Sequence, residues 1–447
     1  MGTKIQKGLI LQMTKKIGFI SLGCDKNRVD LEKMMYRLKS AGFELVDDLN
    51  EANIILVNTC AFIASARKES IDNILEIVSS KGKNNLEKIV VSGCLAERFG
   101  EELHEAIPEI DAIVKLAENN EIEKIICSLV GESAPKIGKN ANISRVLSNS
   151  PHFAYLKISD GCNNCCSYCT IPRIRGRYRS TPMEDLLAEA ENLAKLGVKE
   201  LIIVAQDTTR YGTDLYGEPK LCELIEKLSK IKTIERIRLH YCYPEMIGDE
   251  LLHMIETNHK ICGYLDIPFQ HIDDKILKSM NRRSTSAQII GLINKIRSLK
   301  RKVAIRSTFI IGYPGETRLQ FKHLCDFIKK YKLENVGFFS YSREERTSAG
   351  FMKNQVPEFI KKRRFKHIQK LQEKISTELC KSKIGQTQNI LIDGFDEVYG
   401  YFYGRDEFNS VGIDFDTIIE ASDLVVGNFY KVRIVDFENG VYKGELL

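Results

Sequence analysis

Short apolar, β-branched runs recur along the chain, each followed by a helical period, and this alternation sets the architecture. Residues 17–22 (IGFISL), 53–57 (NIILV) and 88–92 (KIVVS) read as strands. Each passes through a turn into a helical pattern, over about 27–39, about 63–78 and a shorter stretch through Arg98. Strand, turn and helix in alternation predict a parallel sheet with crossover helices. The polar, Ser/Asn/Lys-rich stretch 131–151 reads as a linker closing this part. Strands at 154–158, 200–205, 236–239, 264–267, 303–311 and 335–339 follow, spaced by further connections. Six such units predict a partial (β/α)6, TIM-like barrel with its chemistry on the rim at the carboxyl ends of the strands. A charged helix from about 356 to 381 then leads to short strands at 387–392, 399–403, 417–420 and 430–435. Glycine and Asp/Asn turns between them suggest a small antiparallel, OB-like β-barrel. The class is therefore α/β, with an N-terminal open parallel sheet domain (14–131), a central barrel (148–378) and a terminal β-barrel (381–447).

Composition agrees with three globular parts. At 447 residues, about 150 per domain gives about three domains. No apolar run approaches the ~18 residues of a membrane span, which argues against a membrane protein. The opening MGTKIQKGLILQMTKK has too short an apolar stretch and no small-residue cleavage site for a signal peptide, and Met13 is an alternative start. Thirteen cysteines without a secretion signal point to a reducing cytosol, where thiols serve as ligands, catalysts or core. The charge is uneven. From Gly385 onward twelve acids face four bases, so the tail carries −8 and the preceding chain +14 of the net +6.

The cysteines concentrate the chemistry. Asp160–Ser180 reads DGCNNCCSYCTIPRIRGRYRS, with Cys162, Cys166 and Cys169 spaced C-x3-C-x2-C and Tyr168 before the third. Three thiolates on one loop can hold three irons of a cubane cluster and leave the fourth open to a small ligand. Cys165 also permits two C-x2-C knuckles, a zinc pattern, although zinc ribbons separate their knuckles by a dozen or more residues. Cys24, Cys60 and Cys94 each stand just after one of the first three strands, in the crevice where parallel sheets bind ligands. A free cysteine alone is most simply a small buried hydrophobe; three in matched positions suggest a second cluster site with an open iron. Cys127, Cys222, Cys262, Cys325 and Cys380 lie in apolar periodic contexts and are assigned to packing, while Cys242 on the rim has no partner thiol.

Other rim residues carry less information. Gln206, Asp207 and Thr208 are polar groups ending a strongly apolar strand. Gly312 and Gly315 are turn glycines that also let a flat ligand approach. His240 and His271 are most simply caps or satisfied buried histidines. Arg173, Arg175, Arg177 and Arg179 either solvate the loop after the cluster or face an anion there. In the tail, Tyr399, Tyr401, Phe402 and Tyr403 could stack on bases, but its −8 charge disfavours RNA and favours a basic protein partner.

Together these residues resemble the radical S-adenosylmethionine (radical SAM) methylthiotransferases. Cys162, Cys166, Cys169 and Tyr168 match the radical SAM loop; Cys24, Cys60 and Cys94, in SLGCDKN, VNTCAF and SGCLAERF, match the auxiliary-cluster ligands; the tail resembles a TRAM domain. IPRIRGRYRSTP, AQDTTRYG and LDIPFQH are similar to the RimO branch. The resemblance implies two [4Fe–4S] clusters and S-adenosylmethionine as cofactors. Tyr168, Gln206, Asp207, Gly312, Gly315 and Glu316 would be the cofactor contacts. It also implies a reaction: one electron cleaves the sulfonium, the resulting radical abstracts hydrogen, and the auxiliary cluster presents a methylated sulfur. The implied substrate is the β-carbon of an aspartate in the twelfth, basic, protein of the small ribosomal subunit, with an external electron donor and sulfur donor. The alternatives are the same chemistry on an isopentenylated tRNA adenosine beside the anticodon, and a non-enzymatic metal scaffold on the ribosome. Two positions depart from the pattern: Cys165 is an extra thiol, and Arg346 stands where the family tends to have glycine.

Overall fold

The structure, a computed structural model, describes residues 15–447, so the stretch weighed as a leader, with Met13, lies outside it. The chain forms two compact units, one ending at Ser148 and one spanning Asn149–Leu447.

In the first unit β1 (Lys16–Ser21), β2 (Glu44–Val46), β3 (Ile54–Thr59), β4 (Lys88–Gly93) and β5 (Ala112–Ile113) form one sheet in the order β2-β1-β3-β4-β5. All four pairings are parallel. Its helices are α1 (Asp25–Ser40), α2 (Ala64–Ser80), α3 (Cys94–Ala106) and α4 (Ile122–Leu129). β3 is buried at every position, as expected of a central strand covered on both faces. Leu31, Met34 and Leu38 of α1 pack with Ile122, Ile126 and Cys127 of α4 over Ile17, Ile54 and Val90, so Cys127 is core. The short β2 and β5 escape a pattern-based reading because three and two residues show no period. Yet β2 matters: it places the reversal of strand order between β1 and β3, the switch point at which such sheets bind ligands.

The stretch read as a linker is fastened to α1 over its last residues. The buried Glu32 accepts from Ser148 N at 3.0 Å and Ser148 Oγ at 2.8 Å, and its carboxylate pairs with Arg145 at 3.6 Å. A single carboxylate thus converts a polar segment into a strap.

The second unit opens with β6 (Phe153–Lys157), β7 (Ser159–Asp160), α5 (Ile171–Ile174), β8 (Arg179–Ser180) and α6 (Met183–Lys195). It continues through β9 (Glu200–Val204), α7 (Leu221–Ser229), β10 (Arg236–Leu239), α8 (Asp249–Thr257) and β11 (Ile261–Asp266). Then come α9 (Asp274–Ser279), α10 (Ser286–Arg297), β12 (Ala304–Ile311), α11 (Arg318–Tyr331), β13 (Asn335–Ser340) and α12 (Glu358–Lys381). Strands β6, β9, β10, β11, β12 and β13 are neighbours in that order, all parallel, which is a partial barrel wound in one direction. The tail is a closed five-stranded barrel of β14 (Thr387–Asp396), β15 (Tyr401–Arg405), β16 (Thr417–Ile419), β17 (Phe429–Glu438) and β18 (Val441–Leu446). The β18 strand was not anticipated; it pairs in parallel with β16 and antiparallel with β17, closing the barrel.

Charge joins the tail to the partial barrel. Glu200, fully buried on β9, accepts from Arg238 Nε at 2.8 Å and Arg405 NH1 at 2.5 Å. Burial opposes its ionisation, but Arg405, Arg238 and Arg236 together hold the carboxyl well below the usual range. Asp393 pairs with Arg405 at 2.9 Å and with His152 Nε2 at 2.8 Å. The 406–416 loop between β15 and β16 lies against the sheet. Glu407 O accepts from Arg238, Phe408 O from Asn335, Ser410 Oγ bonds His240 Nε2 at 2.9 Å, and Asp414 accepts from Tyr264 OH at 2.8 Å. His240 is therefore a satisfied buried histidine.

Beside this network Asp416 is held at a cost. Burial, with the charge of Asp393, pushes its carboxyl up from 3.8 to about 6. Between those values the folded chain keeps a proton that the unfolded chain has lost, so stability falls as pH rises through the window. Asp416→Asn is expected to stabilise the protein by about 1–2 kcal/mol above pH 6, after allowance for partial solvent screening, and the gain should fade towards pH 4. Urea midpoints at pH 8 and pH 4.5 check this.

Candidate cluster centres at the strand ends

The amino-terminal triad is built by three strand ends laced together. Asn27 Nδ2 donates to Thr59 O at 2.8 Å and Asn58 Nδ2 returns to Asn27 O at 2.7 Å. Thr59 Oγ1 donates to Ser92 O at 2.5 Å and accepts from Leu95 N at 3.2 Å. These bonds fix the residues bearing Cys24, Cys60 and Cys94 relative to one another. Gly93, at φ +89°, must be glycine, because a Cβ there would meet Asn58 Oδ1 and Thr59 O at 2.5 Å. A Cβ on Gly23, next to Cys24, would come within 3.2 Å of Cys60 Sγ, so neighbouring thiols leave no room for a side chain. Cys94 Sγ donates to Asn27 Oδ1 at 3.5 Å. Cys60 and Cys94 are buried and Cys24 is half-buried. Cys24 stands at the N-cap of α1 and Cys94 begins α3.

The second triad follows β7. Cys162 and Cys166 are buried and Cys169 is half-buried, whereas Cys165 is exposed. Asn164 N points to Cys162 Sγ at 3.5 Å and Ile171 N to Cys169 Sγ at 3.4 Å, the kind of N–H···S bond that favours bound thiolate. Burial pushes the Cys162 thiol up to about 11, and burial with the charges of Cys166 and Cys162 pushes Cys169 higher still. A metal binding Cys162 and Cys169 would have to displace their protons. Among the described residues no three His, Cys, Asp or Glu side chains sit close enough to hold a single metal ion. A cubane needs the wider arrangement, since each thiolate binds a different iron.

Neighbouring loops hold this one in shape. Ser167 Oγ bonds Tyr313 OH at 2.7 Å, Ser167 O accepts from Ala349 N at 2.8 Å, and Asn281 Nδ2 donates to Cys165 O at 2.9 Å. Cys165 itself has φ +50°, the left-handed region, and its side chain turns to solvent. Cys165→Ser is therefore expected to leave iron content and cleavage of S-adenosylmethionine within about twofold of the parent. Iron assay and product chromatography on the anaerobic protein check it.

The anticipated contact residues take different places. Tyr168 packs beside Tyr313 and Tyr341 next to the triad. Gln206 Nε2 reaches Asp160 at 3.4 Å, and its Oε1 is buried with no protein partner, as fits a group that accepts from a ligand. Asp207 is wholly buried, accepts from Asn164 Nδ2 and Thr209 Oγ1, both at 2.8 Å, and pairs with Arg210 at 3.0 Å; the Asn164 bond ties the end of β9 to the cysteine loop. Thr208 is buried and donates to His240 O. At Gly312, φ +74°, a Cβ would lie 2.3 Å from Lys361 Cγ, so the stem of that lysine takes the space foreseen for a flat ligand. A Cβ added at Gly315 would meet nothing within 4 Å, and its N–H donates to Asn354 O at 2.7 Å. Glu316 is buried between Gly312 N at 3.0 Å and Arg364 at 2.6 Å, with His271 Nε2 at 3.6 Å. The structure thus brings Tyr168, Gln206 and Asp207 to the cysteine loop, while Gly312 and Glu316 brace α12. Arg175 is buried against Asp160 at 3.1 Å, whereas Arg173, Arg177 and Arg179 are exposed. Arg346 adopts φ +64°, a left-handed conformation that glycine takes at less cost.

Arg282 is the contact that sequence reading missed. Its guanidinium lies 3.8 Å from Cys166 Sγ, stacks 4.4 Å over Tyr243 and donates to Pro268 O at 2.8 Å. Only the burial of a basic residue in an otherwise surface-like MNRRST run marks it, and burial is not visible in the sequence.

The chain matches two family models, "Uncharacterized protein family UPF0004" over residues 16–115 and "Radical SAM superfamily" over residues 156–328. Among solved structures, the radical S-adenosylmethionine methyltransferase TsrM from Kitasatospora setae aligns with a TM-score of 0.57 at 15% identity, covering 75% of each chain. The cobalamin-dependent radical enzyme OxsB aligns at 0.52 and 14%, covering 81% of this chain and 56% of that one. These two share the fold. Curated relatives named ribosomal protein uS12 methylthiotransferase RimO are far nearer. The Clostridium botulinum (strain Eklund 17B) protein is 44% identical over 95% of this chain and 96% of its own, and that of Clostridium kluyveri 45% over 94% and 96%. The Acetivibrio thermocellus relative is 43% identical over 97% and 99%. With identity of this order running through both cysteine-bearing units and the tail, the chain belongs to the ribosomal protein uS12 methylthiotransferase RimO family of radical SAM enzymes.

Proposed function

We propose that this enzyme adds a methylthio group to the β-carbon of an aspartate in ribosomal protein uS12, in the cytosol. The observation that carries the reading is the pair of cysteine triads, each on a loop or strand end fixed by its own hydrogen bonds, in a chain whose relatives are named for this reaction. Members of this family use S-adenosylmethionine and two [4Fe–4S] clusters. Bound here, those groups would supply a carbon-centred radical and a methylated sulfur; the protein supplies orientation and exclusion of water.

Cys162, Cys166 and Cys169 are the ligands of one cluster, with Asn164 N and Ile171 N steadying two sulfurs. Cys24, Cys60 and Cys94 are the ligands of the other. Gln206 Oε1, without a protein partner, would accept from the ammonium of S-adenosylmethionine, and Tyr168, beside the cysteine loop, would help to hold its adenine. Asp207 and Glu316 act one step back, by holding the cysteine loop and the Gly312–Gly315 turn. Gly315 keeps that turn open to the cofactor. The tail, at −8, suits a basic ribosomal protein and repels RNA.

Mass spectrometry of uS12 and of bulk tRNA from a deletion strain tests the substrate. The methylthio group should be missing from the uS12 aspartate alone. Its loss from a tRNA adenosine instead would move the same chemistry to the other substrate.

A further inference from the structure

The outward face of α12 carries a row of cations that the rest of the molecule leaves unmatched. Lys362, Lys366, Lys370 and Lys374 are exposed and repeat every four residues, with Arg363 beside them. At 1.5 Å per residue the row runs about 18 Å along the helix. None of these five side chains has an ion pair among the described residues. Several exposed lysines on or at the end of other helices are paired four residues apart, as in Lys68–Asp72, Lys227–Glu223, Lys230–Glu226 and Lys322–Asp326, and the unpaired ones, such as Lys195 and Lys278, do not form a row of four. Of the three acids of α12, Glu358 pairs with Lys361 and Glu378 with Lys332 at the end of α11, while Glu373, exposed between Lys370 and Lys374, has no ion pair among the described residues. Three successive like-charge i,i+4 pairs cost the helix about 1 kcal/mol in total. A face kept only for solubility would alternate its signs. Phe359, 69% exposed in the first turn of α12, stands at the head of the row, where a flat group can stack.

We infer that this face of α12 binds the phosphate backbone of RNA. The chemistry required is a line of unpaired, mobile point charges that neutralises successive phosphates without reading bases, and lysine suits it. The molecule then has two surfaces of opposite sign in its second unit, an acidic terminal barrel for a basic protein and a basic helix for RNA. The inference rests on the proposed substrate being a protein of the small ribosomal subunit, for there protein and RNA are met together. The ridge would favour uS12 within the assembled particle over the free protein.

The test compares the parent with a K362Q/K366Q/K370Q/K374Q chain, both reconstituted, binding to protein-free small-subunit RNA at 50–200 mM KCl. Glutamine keeps helix propensity close to that of lysine, and iron content and far-UV dichroism confirm the fold. Four fewer phosphate contacts should reduce the slope of log K against log salt by about 3 and weaken binding at 50 mM by an order of magnitude or more. Restoring the four positions as arginine should restore the slope. Equal slopes and affinities for parent and variant overturn the inference. So does a loss seen on intact subunits but not on protein-free RNA, which would assign the face to an acidic protein. Methylthiolation of free uS12 should be equal in the two chains. If neither chain modifies uS12, the proposed function fails while the salt slopes still report on the ridge.

Discussion

A chain with Cys24, Cys60 and Cys94 all changed to alanine is expected to hold about four irons where the parent holds about eight, and to transfer no methylthio group. The same variant should still cleave S-adenosylmethionine when reduced with dithionite. The expectation follows from where the two triads sit. The bonds that fix the amino-terminal strand ends run among Asn27, Asn58, Thr59 and Ser92, all within the first unit. The loop carrying Cys162, Cys166 and Cys169 is fixed by Asp207, Tyr313 and Asn281 of the second unit. Alanine is small enough to keep the packing at Gly23 and Gly93, so the loss should be confined to the thiols. Iron assay, product chromatography and peptide mass spectrometry read the three outcomes. About four irons in the parent would remove the two-cluster reading.

Arg405→Ala should destabilise the second unit by about 3–5 kcal/mol, the usual consequence of leaving a buried charge without its partner. Arg405 and Glu200 are fully buried and in contact, and Arg405 also meets Asp393 at 2.9 Å. Removing the guanidinium leaves Glu200 hydrogen-bonded to Arg238, with Arg236 nearby, and Asp393 paired with His152. Earlier urea unfolding and faster proteolysis near Lys383 would report the loss. Glu200→Gln in the Arg405→Ala background should cost less than the sum of the two single changes, because the pair acts as a unit. Strict additivity would show that the two groups are not coupled.

The parts of this protein that the sequence disclosed are those with long periods or unusual residues. β1, β3 and β4, the six barrel strands and α12 carry enough apolar positions to be recognised. The candidate cysteines stood out in the sequence for two reasons: Cys24, Cys60 and Cys94 follow matched strands, and Cys162, Cys166 and Cys169 share one closely spaced loop. β2, β5 and β18 were not, being too short or too polar to show alternation, and β2 is the strand that locates the switch point. Long-range polar contacts were hidden altogether. Arg282 reads as a surface residue until the fold brings it to Cys166, and Gly312 reads as a ligand platform until Lys361 crosses it. Glu200, Arg236 and Arg238 look like charges on a strand and are instead the seat of the tail.

That seat limits how such tails can be exchanged between relatives. In sequence the last sixty or so residues resemble a cassette, with their own strands and their own charge. In the fold, Arg236 donates to Arg405 O and Asn389 O, and Arg238 to Glu407 O, so strands far upstream are written for this tail. A chimaera that imports a foreign tail without these partners would inherit charges with nothing to answer them. The outer surface of the small barrel is free of this constraint, while its inner surface must be inherited together with β9 and β10.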